Sequence, residues 1–514
     1  MNRTFYRVYC ITAACFLVLG GLLAADDPPP LEELDRSLSI TVSSESGTAP
    51  LFEFFLNDPK GIVNSVSFDL TGNGIPDYLV HIESLEEDDA ERGLVYRGIP
   101  YLEHGQLHTL KVLMETDYGI FTRVFEIAFA PYQFGRDNLS FANDSTFRNK
   151  SPEISRVLVQ WAHDRFGELT DEEEFLLINL MYRLFRGNIG RCYGFSAGGL
   201  YYHAHKEALG WEYADAFHLD EDDPEVVRLL HNLQNDIVFS IFATGAVDPE
   251  LKHPPQDIRP KIARIKESIL DGRPVVIGYM SRDTHHSMVV FGYVRNTFDG
   301  NTVLLVANNW NRDQKSNLVS KDAVNLPVYE QDGQLHLDWL SYRYRSEDLV
   351  FIIDPMHIQL PDRDAFMAVL DHEREFLISQ GYIRIIVEST DRAYVIDDRG
   401  QKRGYVNPGF QWGISGSNFR RIDDIYLMDL PADRDYELVL GIRRLNQYLD
   451  TWKDAHFYIA FPDEAGLHTA VKRNIPVNED VDLIYFLADR TIREAPSEES
   501  CGGEVEEADP CGGT

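Results

Sequence analysis

The sequence predicts a multidomain protein in which an α+β domain is flanked by two all-β sandwich domains. Three observations carry this reading. The 514 residues are enough for about three domains at about 150 residues each. From about Ser151 to Leu377, apolar residues recur at helical spacing and then give way to a cluster of strands. On both sides of that region, short alternating strands are separated by turn residues. Hydrophobic residues make up 44% and aromatics 12%, which supplies packed cores and excludes a disordered chain. The net charge of −35 argues against a nucleic-acid partner and against docking on an anionic membrane, since both need clustered Lys and Arg.

Residues 1–25 read as an export signal. Arg3 and Arg7 form a positive front, Val8–Leu23 is mostly apolar, and Ala24-Ala25 offers a small-residue end. The alternative is an uncleaved anchor, but the apolar stretch is short of the roughly 20 residues a span needs. A secreted or cell-surface protein is expected. Asp26–Asp35, with Pro28-Pro29-Pro30, reads as an extended linker.

The first sandwich is assigned to residues 37–131. Ser39–Val42 and Val66–Leu70 alternate, and Leu110–Met114 and Phe121–Ala128 follow. The α+β domain is assigned to 150–356. Its helices are Ile154–Phe166, Thr170–Phe185, Cys192–Leu209, Pro224–Phe242 and Ile258–Leu270, the second opening on the capping-box pattern Thr170-Asp171-Glu172-Glu173. Three strands arrive next, Pro274–Met280, His286–Tyr293 and Thr302–Ala307, and Pro361–Leu377 reads as one more helix. The second sandwich takes 377–494, with strands at Ile383–Glu388, Ala393–Ile396, Tyr436–Ile442, His456–Phe461 and Leu483–Leu487. Residues 495–514 form an acidic, Gly-rich tail. Asn143–Ser151 reads as a second spacer, so the sandwiches are expected to pack loosely and a fragment of about 144–356 to fold alone.

Of five cysteines, Cys10 and Cys15 leave with the signal, and Cys501 and Cys511 flank a tail segment and could pair. Cys192 stands alone in the body of an exported chain. That makes it either a reactive thiol or a buried structural residue.

Its surroundings favour chemistry. Arg191-Cys192-Tyr193-Gly194-Phe195-Ser196-Ala197 falls where a helix begins, and the helix dipole there lowers a thiol pKa. Gly187, Gly190 and Gly194 leave open backbone around it. His286, with His285 as its competitor, sits at the mouth of an apolar strand and can serve the thiol as base. Val306-Ala307-Asn308-Asn309-Trp310 ends the next strand. An Asn carbonyl there can orient the imidazole, with Trp310 shielding the bond. A thiolate–imidazolium pair is therefore expected.

The order Cys, His, Asn and these neighbours resemble the papain-like cysteine peptidases over about Ser151–Pro355. In that family the Cys opens a long helix, the His precedes a Gly-aromatic pair (here Gly292-Tyr293), and the Asn precedes a Trp by two positions. The string Cys192–Ser196 is similar to that of bacterial secreted members. The resemblance implies a Cys192, His286, Asn308 triad that hydrolyses peptide or amide bonds through a thioester and needs no cofactor. The family's oxyanion Gln is Arg186 here, so Asn188 or Arg186 would take that place beside the backbone N–H of Cys192. The same trio also serves a transglutaminase-like acyltransferase. The rival reading is an inactive adhesion or carbohydrate-binding protein.

The first sandwich resembles PKD-type extracellular modules, on Ala49-Pro50-Leu51, Asn57–Val63, Phe68–Asp77, Tyr101–Gly105 and Leu110–Val112. Asp69, Thr71, Asn73 and Asp77 have the oxygen spacing of a short calcium loop, or of a turn held by Gly72 and Gly74. The expected partners are a protein or peptide substrate and, through the sandwiches, an extracellular polymer.

Overall fold

A computed structural model describes most of residues 38–494. Residues 1–37, 44–50, 88–92, 142–153, 185–190, 244–256, 281–284, 309–324, 344–348, 354–357, 447–450, 476–482 and 495–514 lie outside the described part, with some shorter stretches. The export signal, both spacers and the Cys501–Cys511 pair therefore fall outside it. The chain forms two compact units, one built mainly of 52–98 and 109–125 and the other running from 126 onward with two short earlier pieces.

The first unit is a sandwich, as the alternation predicts. Strands β1 (Leu38–Ser43), β2 (Leu51–Leu56) and β5 (Leu94–Gly98) form one sheet. In the other, β3 (Val63–Asp69) pairs with β4 (Tyr78–His81) and β6 (His108–Thr116), which is followed by β7 (Gly119–Phe129). The inward residues meet as aromatic edges. Phe54, fully buried, sits with its ring 4.9 Å from Phe68 and 6.3 Å from Phe125.

The second unit starts with helices α1 (Ile154–Phe166), α2 (Asp171–Leu184), α3 (Cys192–Leu209), α4 (Pro224–Ala243) and α5 (Arg259–Leu270). The capping box at α2 forms in both directions, Thr170 N donating to Glu173 Oε2 (2.7 Å) and Glu173 N to Thr170 Oγ1 (3.3 Å). An antiparallel sheet follows: β8 (Val275–Met280), β9 (His285–Asn296), β10 (Thr302–Asn308), β11 (Asn325–Gln331), β12 (Gln334–Trp339), β13 (Tyr342–Arg343) and β14 (Leu349–Ile353). The neighbours run β14-β8-β9-β10-β11-β12-β13. One face of this sheet, with Val275, Ile277, Met288 and Val290, closes over Ile262, Ile265 and Ile269 of α5. Among the described residues no helix is long and apolar enough to cross a membrane.

Helix α6 (Arg363–Gln380) leads into the C-terminal sandwich: β15 (Tyr382–Glu388), β16 (Thr390–Asp397), β17 (Lys402–Val406), β18 (Gly409–Trp412), β19 (Asn418–Ile422), β20 (Ile425–Pro431), β21 (Tyr436–Arg443), a short β22–β23 pair (Leu445–Asn446 and Thr451–Trp452), β24 (Ala455–Asp463), β25 (Gly466–Ile475), β26 (Leu483–Ala488) and β27 (Thr491–Glu494). The sheets are β19-β20-β15-β24-β25 and β18-β17-β16-β21-β26-β27. The chain crosses between them at Ser389, whose φ of 61° lies in the left-handed region. Such a conformation in a non-glycine residue costs about 1–3 kcal/mol, and here the sheets on either side hold it.

Loose packing, expected for this module, is not what forms. Phe366 of α6 stacks on Phe166 (4.1 Å) and lies 5.5 Å from Phe239. The buried Glu373 carboxylate accepts from Asn179 Nδ2 (2.6 Å) and from the Arg183 guanidinium, and Arg384 Nη1 donates to Asn179 Oδ1 (2.8 Å). Glu388 accepts from Ser155 and Tyr182. Helix α6 thus buries a face against α1, α2 and α4, and the helices and the C-terminal sandwich belong to one compact unit.

Candidate active site

Helix α3 starts at Cys192, with Arg191 as its N-cap residue. Its glycines turn out to be a packing groove rather than open backbone. A Cβ on Gly194 would meet Leu230 O of α4 at 2.0 Å, and one on Gly199 would meet Asp137 O at 2.0 Å. Gly278 of β8 likewise makes room for the Tyr193 ring, 2.3 Å from where its Cβ would stand. Glycine here lets α4, the 137 loop and β8 close on the first turns of α3 and fix where the thiol stands. Gly187, Gly190, Arg186 and Asn188 lie outside the described residues, as do Asn309 and Trp310.

His286 and Asn308 come from neighbouring strands. In the β9–β10 pair, Leu305 faces Gly292 but Val306 faces Val290, so Phe291 is an extra residue at a bulge. The slip sets Asn308 opposite Met288. His286, two residues earlier on β9, shares its face. Without the bulge, Asn308 would stand opposite Val289 and on the wrong face. As built, His286 Nε2 is 3.0 Å from Asn308 Oδ1. The carbonyl oxygen only accepts, so Nε2 carries the proton and Nδ1 keeps the lone pair of a base. The competitor His285 has its side chain outside the described residues.

The third residue arrives from the helix side. The Cys192 thiol hydrogen-bonds with Ser287, the residue next to His286, and the N–H groups of Cys192 and Tyr193 also turn toward it. Ser287 Oγ donates in turn to Ser196 Oγ (3.1 Å), one turn along α3. Cys192 at the start of α3 thus meets Ser287 of β9, the chain neighbour of His286, and His286 meets Asn308 of β10.

The expected ion pair does not form in this closed arrangement. Cys192 is only 3% exposed and His286 is fully buried. Burial pushes the Cys192 thiol up to about 11, against smaller lowering effects of Ser287 and the backbone N–H groups. Burial also pulls His286 down to about 4, against a raising contribution from Asn308. At neutral pH the pair rests as thiol and neutral imidazole. The loss of solvation outweighs the helix dipole that sequence reasoning relied on.

Sequence reasoning missed the support behind the thiol. Gln234 Oε1 of α4 accepts from Gly194 N (3.1 Å), capping α3 from outside. Arg191 Nε donates to His231 Nδ1 (3.1 Å), both buried, and burial with the nearby guanidinium holds His231 well below the usual imidazole range. The available signal was a polar band in an apolar helix. His231, Gln234, Asn235 and Asp236 are all buried.

In the candidate calcium loop three side chains bond to backbone N–H groups of their own turn. Asp69 accepts from Gly74 N (2.7 Å), Asn73 from Ile75 N (2.7 Å) and Asp77 from Leu70 N (2.8 Å), while Thr71 lies outside the described residues. Among the described residues no group of three or more His, Cys, Asp or Glu is placed to hold a metal.

No protein-family profile matches this chain, and no curated protein does either.

Proposed function

We propose that the chain is an exported cysteine peptidase with a papain-like catalytic domain, which cleaves peptide or amide bonds through a thioester on Cys192. The observation that carries this reading is the His286–Asn308 bond beside the residue that holds the Cys192 thiol. An acceptor on Nε2 leaves Nδ1 as the base, which is the nitrogen a thiol at the start of α3 would need. Because the resting pair is neutral, His286 acts as a general base and not as a standing imidazolium. It takes the thiol proton as sulfur attacks the carbonyl carbon, then gives that proton to the leaving amine. Water hydrolyses the thioester and restores the thiol. The backbone N–H of Cys192 is the oxyanion donor, and Asn188 is proposed as a second. The PKD-like and C-terminal sandwiches would place the enzyme on an extracellular polymer.

The test is hydrolysis of unstructured protein and of short blocked peptides by the full chain and by Cys192→Ala and His286→Ala. Cleavage that both variants abolish to the same extent supports the reading, since the two residues act as a unit. Full cleavage by Cys192→Ala overturns it. No cleavage by any form leaves the inactive binding-protein reading in its place.

A further inference from the structure

We propose that Tyr132 is a positioning residue of the candidate site: its ring pins the Phe291 bulge of β9 in place, and the bulge in turn sets the bond between His286 and Asn308. The inference rests on the reading above, in which that bond orients the base.

A bulge residue is left out of the strand ladder, so whatever keeps it there must come from elsewhere. With β10 along one edge of β9, β8 pairs on the other edge with His285–Val290 and ends there. The chain from Ala128 to Tyr132 takes over next. Ala130 N donates to Phe291 O (2.7 Å). The Tyr132 ring stacks on the Phe291 ring, with centroids 5.3 Å apart and planes 13° from parallel. Phe291 is fully buried and Tyr132 nearly so. One residue on, a Cβ at Gly292 would meet Ala128 O at 2.9 Å and Phe129 Cβ at 3.0 Å, so this backbone runs tight against β9. The change of partner strand thus falls on the bulge itself, and Tyr132 supplies a side chain that covers it.

The consequence reaches the site through register. The competitor is the regular ladder, which leaves no residue unpaired. It sets Asn308 opposite Val289 and turns it away from His286. Drawing Phe291 into that ladder would take its ring off Tyr132 and its carbonyl off Ala130 N, so these contacts hold the bulge against the regular pairing. Tyr132 also lines, with Val289, Ala307 and Asn308, a cavity of about 20 Å³, so its ring stands beside the residues whose pairing would change. Tyr132 therefore acts on the imidazole through Asn308.

The readout is the tautomer of His286, followed by long-range proton–nitrogen correlation of the histidine rings in the full chain at neutral pH, with His286→Ala to assign its signal. The native chain should show the Nε2–H form that the Asn308 acceptor demands. Tyr132→Ala should lose it and give the mixed tautomers expected of Asn308→Ala, whereas Tyr132→Phe, which keeps the ring, should retain it. Hydrolysis should agree. Tyr132→Ala should lower kcat by about tenfold, and combining it with Asn308→Ala should cost little beyond either change alone, because both act through one bond. A folded Tyr132→Ala that keeps the Nε2–H form, or a double variant in which the two losses multiply, overturns the proposal. If Tyr132→Ala does not fold, Tyr132→Leu, which fills the space without a flat ring, is read in the same way. Because the tautomer needs no substrate, the clamp can stand where no cleavage is found, and cleavage can stand where Tyr132 leaves the tautomer unmoved.

Discussion

His286 and Asn308 share a face of the sheet because β9 carries one extra residue, Phe291, between the paired stretches of β9 and β10. A one-residue slip exchanges every side chain between faces, so the bulge decides whether the two can meet. At 3.0 Å they do, and the tautomer of His286 follows.

Removing that acceptor should leave a buried N–H without its partner and an imidazole free to turn. Asn308→Ala is expected to lower kcat by about tenfold or more, with KM little changed. Asn308→Asp should raise the His286 pKa through its negative charge and shift the acid limb of the kcat/KM profile to higher pH. Steady-state kinetics against pH checks both.

Burial of the neutral pair has a signature in stability. The folded-state pKa of His286, about 4, is below its ordinary 6.5. Between these values the unfolded chain binds the extra proton, so stability falls as pH drops through this window, by roughly 3 kcal/mol. Cys192 works at the other end. Its folded value of about 11 exceeds 9.0, so the unfolded chain loses its proton first and stability falls as pH rises from 9 to 11. Urea denaturation across pH should show a plateau between the two windows. His286→Ala should flatten the acid slope, to which His231 also contributes, and Cys192→Ala the alkaline one.

The same burial predicts how Cys192 reacts. Alkylation by a small neutral reagent should rise with pH through 9 and beyond. A rate that persists undiminished into acid solution would mean a preformed thiolate, and with it an ion pair that this closed site does not hold.

The C-terminal module is predicted to fold as one body with the helices before it. Cutting near Met356 removes Phe366 from Phe166 and Phe239, and leaves Asn179 and Arg183 without the Glu373 carboxylate. The fragment 144–356 should aggregate or melt well below the full chain. Phe366→Ala alone should cost about 3–5 kcal/mol, read by thermal or urea unfolding. Glu373→Ala should add to instability, because it strands Arg183 in a largely buried position.

The helices were readable because each has a clear apolar face and an end signal. Ile154–Phe166 and Cys192–Leu209 begin and stop where the spacing predicts, and Thr170 caps α2 as its pattern requires. The His286–Asn308 pair was readable because both residues lie at strand ends with distinctive neighbours. Strand β20 is hard to see, since a short apolar run such as Ile425–Pro431 has no alternation to announce it, whereas β12 (Gln334–Trp339) does alternate and was legible. The bulge at Phe291 was beyond reach, because register depends on pairing and not on composition. So was the sign of the Cys192 pKa shift: the helix start is visible in sequence, but the burial that outweighs it is a property of the packed site.

The central claim is that Cys192 and His286 act together as nucleophile and base. The most direct test is labelling of the full chain by a peptidyl acyloxymethyl ketone, an agent that needs an assisted thiol, followed by intact-mass and peptide analysis. A single adduct on Cys192, lost in His286→Ala while that variant stays folded, is the predicted result. No adduct on the folded native chain, or equal labelling of His286→Ala, would contradict it.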